Sequence, residues 1–373
     1  MNHPTVHFTD LRTSPRRNLL DKMALLLEQA GLPDKIGRGD LVAVKLHFGE
    51  RGNTAFIRPV FVRRVVELLR DLGAKPFLTD TNTLYIGSRS EATTHLQTAI
   101  RNGFDFAVVD APLVIADGLR GNSSVEVPIP GGRHFQRVHI ASEIANADAL
   151  VVLSHFKCHD LAGFGGALKN LGMGCSSREG KLAQHSSVAP KVKAKRCVAC
   201  GECLPWCPVA AITLDGKARI EPNLCIGCGE CILTCPQEAI QVQWTEGPLV
   251  MQEKMAEHAC GAMAGKSEHS IFLNMATQIS PACDCYGHTD APIVGDIGFL
   301  AASDPVAIDQ ASVDKVNQQI GNPASALKSN HEPGMDKFRG VCPDIDWGVQ
   351  LTHAEKLGLG SRRYRLEDIS GAG

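Results

Sequence analysis

The sequence predicts an α/β fold: a mainly parallel sheet with flanking helices, interrupted by an inserted α+β domain. Three observations carry this expectation. Short apolar runs rich in β-branched residues alternate with helical segments between residues 41 and 153. The same alternation resumes after residue 246. Between the halves lies a stretch whose cysteine spacing is written twice. The predicted organisation is an α/β domain in two parts, 1–189 and 246–373, with an insert at 190–245.

Each element has a local reason. Leu41–Leu46 (LVAVKL) is a short apolar run with β-branched residues, hence a strand. Residues 59–72 carry apolar side chains at 61, 62, 65, 66, 68, 69 and 72, with Pro59 in the first turn and Gly73 just past the end. Start and stop signals of a helix therefore agree. Pro76–Thr79 and Phe106–Val109 read as further strands. A short helix near Ser142–Ala147 precedes the clearest strand, Ala149–Leu153 (ALVVL). After the insert, Ser270–Asn274 and Ile297–Ala301 read as strands. Asp304 and Pro305 open a helix that Gly321 closes, and a last helix near Gln350–Lys356 stops at Gly358. Strands separated by helices imply parallel pairing with both sheet faces covered.

The insert holds eight of the fourteen cysteines. Its first run is Cys197-x-x-Cys200-x-x-Cys203-x-x-x-Cys207-Pro208; its second is Cys225-x-x-Cys228-x-x-Cys231-x-x-x-Cys235-Pro236. This is the spacing of bacterial two-cluster ferredoxins, in which the fourth cysteine of each run serves the other run's cluster. Two [4Fe–4S] clusters are expected, one on Cys197, Cys200, Cys203 and Cys235, the other on Cys225, Cys228, Cys231 and Cys207. Zinc sites usually use two separated Cys-x-x-Cys pairs, and a disulfide framework suits a short secreted chain. Neither matches this pattern. The basic run Lys191, Lys193, Lys195, Arg196 at the start of the insert reads as a solvated linker.

Composition bounds the remaining possibilities. The chain has 373 residues, enough for two or three domains, with 44% hydrophobic and 21% charged residues. A net charge of -2 gives no reason to expect nucleic acid or an anionic membrane as partner. No apolar run reaches the roughly twenty residues of a membrane span, and the N-terminus lacks a secretory apolar core. Many reduced cysteines then point to the cytoplasm of an anaerobic or oxygen-limited cell.

In open α/β sheets, ligands gather beyond the carboxyl ends of the strands. That rule selects Lys45, His47, Asp80, Asn82, His155, Lys157, Cys158 and His159, together with Cys283 and Cys285 after Ser270–Asn274. The densest segment is 154–185. Gly163, Gly165 and Gly166 there allow a sharp turn with exposed N–H groups, an expected cradle for an anionic ligand or cofactor. Lys169 follows at the expected helix start, with His159 before it and His185 after. These three are the candidate catalytic residues, and Lys169 is expected to have a lowered pKa. Cys283 and Cys285 read either as buried thiols or as a possible extra metal site.

Nearly the whole chain, about 40–365, resembles the uncharacterised iron–sulfur centre proteins, an α/β domain of unknown function with an inserted two-cluster ferredoxin. The residues that carry it are KLHFGE (45–50), LTDTNTLYIGSR (78–89), SHFKCHDLAGFGGALKNLGMGC (154–175) and DIGFLAASDPVAIDQAS (296–312). The resemblance also suggests that Asp296 and Asp309 close the pocket's far side. A shorter segment, with His159, Ala162, Gly163, Phe164, Lys169, Arg178, Glu179 and His185, resembles the nickel-pincer lactate racemase motif in ungapped spacing. In that family the lysine carries the cofactor and the histidines bind metal and move protons, which implies one site for Lys169, His159 and His185. Ala167-Leu168, Cys158 and Cys175 depart from its pattern.

The expected function is electron transfer through two [4Fe–4S] clusters to or from a small-molecule site, with a redox partner protein and an anionic substrate. Alternatives are an electron-transfer or metal-handling accessory protein, and a racemase-like or lyase-like enzyme with structural clusters. No dinucleotide fingerprint or P-loop is present, so neither nicotinamide nor ATP has support.

Overall fold

The computed structural model describes residues 3–371. Eight strands form one sheet: β1 Thr5–Asp10, β2 Leu41–Lys45, β3 Lys75–Asp80, β4 Leu113–Ile115, β5 Ala149–His155, β6 Ser270–Ala276, β7 Gly298–Ala302 and β8 Arg365–Asp368. Their order across the sheet is β8-β1-β7-β6-β5-β2-β3-β4. Only β7 runs against its neighbours, β1 and β6; the other pairings are parallel. The α/β, mainly parallel fold is the architecture of this chain.

All seven residues of β5 and all seven of β6 are buried, as both faces of a parallel sheet require. Successive side chains point to opposite faces, and the core divides accordingly. Leu150 and Val152 join the apolar cluster on one face, whereas Ala149, Val151 and Leu153 join the cluster on the other. Registers Lys45↔Thr79, Lys45↔Val152 and Ser154↔Asn274 bring the carboxyl ends of β2, β3, β5 and β6 to one edge. That edge is where the functional side chains collect.

The insert closes on itself. Lys191–Val192 pairs antiparallel with Ile240–Gln241, so the chain leaves and rejoins the α/β part at one place. Between them lie a hairpin, Ile212–Asp215 with Lys217–Ile220, and the short helix Glu230–Thr234. Its apolar cluster includes Cys197, Cys203, Cys231, Ile212 and Ile240, and takes Leu84 and Leu182 from the α/β part. Lys191, Lys193, Lys195 and Arg196 are exposed.

One expected strand is absent. Phe106–Val109 is a single helical turn, because the Asp105 side chain accepts the Val108 N–H and caps it. Phe106 and Val108 point to solvent, and the strand comes later, at β4. The sequence reading also missed β1, β8 and the helix Pro248–Met263, which packs on helices Ala167–Gly172 and Gly348–Lys356.

Candidate functional site

A cavity of about 540 Å³ opens at the carboxyl edge of the sheet. Its wall contains Lys45 and His47 after β2, Asp80 and Thr81 at the end of β3, and Ser154 and His155 at the end of β5. Lys157 and His159 follow, and Cys285 and Tyr286 come from the loop beyond β6. Lys169, Lys181 and His185 complete it from two helices, Ala167–Gly172 and Arg178–His185. His159, Lys169 and His185 thus line a single cavity. Asn82 and Cys158 are buried outside its wall, Asn82 donating to Asp117 at 2.9 Å.

Lys169 faces the cysteine loop. Its Nζ donates to Cys283 Sγ at 3.7 Å. Burial alone would lower its pKa, but Cys283, Cys285, Asp284 and Asp160 raise it above the ordinary lysine value. The expected amine with lowered pKa is therefore an ammonium at this position. On the other side of the contact, a hydrogen bond from Cys285 holds the Cys283 thiol well below its ordinary pKa. The Lys169 ammonium and the His159 ring add to this, against burial. The N–H groups of Leu161 and Ala162 donate to His159 Nδ1, both at 3.2 Å. Its ring proton accordingly sits on Nε2. His185 packs edge-on to Trp244 with centroids 4.8 Å apart, and burial lowers its pKa to about 3. It is a neutral imidazole and a weak base.

The remaining cations differ in how they are balanced. Lys45 pairs with Asp80 at 3.0 Å and donates to Asn170 at 2.7 Å. Arg89 pairs with Glu50 at 3.2 Å and approaches Asp80 at 3.7 Å. Lys157 pairs with Asp284 at 3.0 Å, and His155 Nδ1 meets the same carboxylate at 2.8 Å. Lys181 has no carboxylate within ion-pair distance among the described residues. It donates to Thr81 Oγ1, the Asn82 carbonyl and the Ser176 carbonyl. Burial lowers its pKa to about 8, with Asp117 and Asp80 opposing. Among the cavity's lysines, the one with a depressed pKa is Lys181, which the sequence reading did not single out. Its signal was the i,i+4 spacing to His185, which puts both on one helix face.

The glycine run does not form an open cradle. Gly163–Gly165 is a short strand paired with Lys157–His159. The next free donors, the N–H groups of Ala167 and Leu168, go to the buried Asp309 carboxylate at 2.7 and 2.9 Å. The glycines serve close packing instead. A Cβ on Gly166 would stand 2.2 Å from Asp309 Oδ1, and one on Gly165 would stand 3.1 Å from Lys169 Cδ. Gly165 and Gly166 still line the cavity, with backbone only. Asp309 lies beneath this turn and Asp296 is exposed, where its carboxylate takes the Gln278 N–H. Neither forms the cavity's far wall.

Two smaller apolar cavities lie in the insert. One is lined by Cys197, Cys200, Cys203 and Cys235; the other by Cys207, Cys225, Cys228 and Cys231. The two fourth cysteines behave alike: Ala211 N–H donates to Cys207 Sγ at 3.1 Å, and Ala239 N–H to Cys235 Sγ at 3.2 Å. Ala199, Ala210 and Glu238 adopt positive φ within these tight loops. Among the described residues, no three His, Cys, Asp or Glu side chains converge as a site for a single metal ion. Cys283 and Cys285 accordingly make a two-sulfur site flanked by a lysine and a histidine.

The helix Arg178–His185 joins the two regions. At its start, Arg178 is fully buried and reaches Glu230 of the insert at 3.6 Å and the Ser90 carbonyl at 2.6 Å. Leu182 packs in the cysteine cluster, while Lys181 and His185 face the large cavity.

Residues 42–314 match the sequence profile of a family described as a domain of unknown function, DUF362. No curated protein matches the chain. Among solved structures, the lactate racemase apoprotein from Thermoanaerobacterium thermosaccharolyticum is similar over 85% of this chain and 58% of that chain. The identity is 14% and the TM-score 0.38. The chain therefore spans less than two thirds of that racemase's length. No described helix is long and apolar enough to cross a membrane.

Proposed function

The chain belongs to the DUF362 family, a domain of unknown function, and on that premise we propose a two-cluster iron–sulfur protein that exchanges electrons with a small anionic molecule. The observation that carries this reading is the double role of helix Arg178–His185, which packs Leu182 into the apolar cluster around the insert's cysteines and lines the cationic cavity with Lys181 and His185.

The donor set fits the proposed groups. Each small cavity offers four thiols in apolar surroundings, drawn from both cysteine runs, with main-chain N–H groups aimed at sulfur. Hydrogen bonds to ligand sulfurs and limited solvent access are the usual determinants of cluster potential. Such clusters supply one-electron transfer when bound. Cys197, Cys200, Cys203 and Cys235 would hold one, and Cys207, Cys225, Cys228 and Cys231 the other.

Within the large cavity, Lys181 and Lys169 bind an anionic substrate group. Lys181 lacks an anionic partner of its own, and a buried ammonium gains most from one. His185, neutral at physiological pH, hydrogen-bonds and orients the bound molecule, and the His159 ring hydrogen-bonds to the Cys283 sulfur. Apolar walls around Met173, Leu161 and Trp244 exclude water and strengthen these contacts.

The cavity volume falls in the range of small-molecule sites, which favours an enzyme over an accessory carrier without its own substrate. A redox partner protein forms part of the proposal. The exposed apolar side chains Val198, Leu204, Trp206, Leu224 and Ile226 surround the cysteine loops and suit its docking. Oxygen-sensitive chemistry of this kind belongs in the cytoplasm of an oxygen-limited cell.

Anaerobic preparation of the full chain tests the reading. Metal and sulfide analysis should find about eight iron and eight acid-labile sulfide per chain, the count for two cubane clusters. Cys200→Ser should lose about half of both. Zinc at two per chain with no visible absorption would overturn the proposal.

A further inference from the structure

The loop after β6 presents two cysteines around one buried carboxylate. Asp284, fully buried, anchors the loop through His155 at 2.8 Å and Lys157 at 3.0 Å. Its main chain is tied down as well. The Glu50 N–H donates to the Asp284 carbonyl at 3.0 Å, and Tyr85 Oη donates to the Cys285 carbonyl at 3.0 Å. Asn53 Nδ2 donates to the carbonyls of Tyr286 and His288 at 3.2 and 3.0 Å. A clamped backbone thus holds Cys285 on the cavity wall and Cys283 buried behind it.

Their environments are unequal. Cys283 is 1% exposed and receives donors from several directions: Lys169 Nζ at 3.7 Å, the Cys285 N–H at 3.4 Å and the His159 ring. Cys285 lies on the cavity wall and hydrogen-bonds to the Cys283 sulfur. One sulfur is built to carry negative charge, and the other is exposed to a bound molecule. Two residues apart, their Cα atoms cannot be separated by more than about 7 Å. Disulfides usually span about 4.4–6.8 Å. Both cysteines are free in this structure.

We propose that Cys283 and Cys285 form a dithiol–disulfide couple that stores two electrons at the cavity and passes them to a small anionic disulfide. In the reduced form Cys283 is a thiolate paired with the Lys169 ammonium, and Cys285 is a thiol. During exchange the substrate's S–S bond breaks and a Cys283–Cys285 bond forms. The electron pair passes to the substrate sulfurs; one product leaves as a thiol carrying the Cys285 proton, the other as a thiolate. Atoms and charge balance. Return to the dithiol consumes two electrons and one proton, delivered by a one-electron carrier acting twice. Only in naming iron–sulfur clusters as that carrier does the inference rest on the proposed function. The Lys169 contact stabilises the reduced form, which eases reduction of the Cys283–Cys285 disulfide by the carrier and restricts the substrate to a disulfide of still higher potential.

The test uses the full chain, prepared anaerobically and poised in mixtures of reduced and oxidised dithiothreitol. Free thiols are alkylated, and the peptide containing Cys283 and Cys285 is weighed by mass spectrometry. The expected result is a reversible loss of two hydrogens confined to that peptide, with a two-electron dependence on poise. Either Cys283→Ser or Cys285→Ser should abolish it. Lys169→Met should move the equilibrium about ten-fold toward the disulfide, equivalent to about 30 mV. Two alkyl labels on the wild-type peptide at the most oxidising poise would overturn the inference. Iron is counted on the same samples. A transition without iron leaves the couple standing and removes the proposed electron source; full iron without a transition removes the couple alone.

Discussion

The Lys169 ammonium lies 3.7 Å from the Cys283 sulfur, and each group keeps the other charged inside a buried wall. Removing the lysine should therefore change the thiol before it changes the fold. Lys169→Met is expected to shift the pH profile of iodoacetamide alkylation of Cys283 upward by about one pH unit, the effect of losing a neighbouring cation on the thiolate. Peptide mass spectrometry reads the rate at each pH, and an unchanged profile would show that the contact does not govern the charge.

Lys181 sets a pH limit on anion binding. Its pKa of about 8 means that the ammonium is lost as pH rises through that value. Sulfate or pyrophosphate should raise the melting temperature at pH 6.5 and lose most of that effect by pH 9. In Lys181→Met the anion effect should be weak at both values. Equal stabilisation of wild type and variant would remove Lys181 from the site.

Asp309 produces an unusual dependence of stability on pH. Burial raises its folded pKa to about 6, above the ordinary carboxyl value. Between about pH 4 and 6 the folded state then binds more protons than the unfolded state, so this group adds stability as pH falls through that window. Asp80 and Asp284 are held below the ordinary value by their cationic neighbours. Their stabilisation is present above the ordinary carboxyl range and is lost only as pH falls below it. Urea unfolding of Asp309→Asn should show a reduced stability gain from pH 6 to 4 relative to wild type. An identical slope would mean that Asp309 does not titrate there.

Gly166 tests the packing that makes Asp309 a cap. A Cβ at 2.2 Å from its carboxylate oxygen must displace the carboxylate from the Ala167 and Leu168 N–H groups. Gly166→Ala should cost about 2–4 kcal/mol in unfolding free energy, from overpacking and weakened hydrogen bonds. A loss below about 0.5 kcal/mol would show that the turn relaxes freely.

Arg178 couples the cavity helix to the insert. With Glu230 at 3.6 Å and main-chain carbonyls of Ser90 and Arg120 as acceptors, its guanidinium bridges two parts of the chain. Arg178→Met leaves these acceptors and a buried carboxylate without their cation, a loss of about 3–5 kcal/mol for a broken buried pair. Iron retention on gel filtration should fall toward half, with the loss at the Cys207, Cys225, Cys228 and Cys231 set. Full retention would separate this contact from the cluster site.

Much of the architecture was legible because it is local. Pro59 and Gly73 bound a helix by backbone chemistry alone, and β5 declares itself by an unbroken apolar run. Phe106–Val109 was misread because four apolar residues fit a strand or a turn of helix equally well. The Asp105 cap decided between them. The terminal strands β1 and β8 escaped notice because their pairing partners lie at the opposite end of the chain.

The site divides along the same line. By itself the sequence determined the two cysteine runs, since their spacing is a property of consecutive residues, and it singled out His159, Lys169 and His185 from one short segment. Tertiary structure alone decided what those groups meet. Cys283 and Asp284 arrive at Lys169 from more than a hundred residues away, and their charge raises a pKa that was expected to be lowered. Asp309 arrives from a similar distance and occupies the donors that the glycine run was expected to offer a ligand. Charge state and free hydrogen-bond capacity are sums over everything packed around a group, and that packing exists only once the chain has folded.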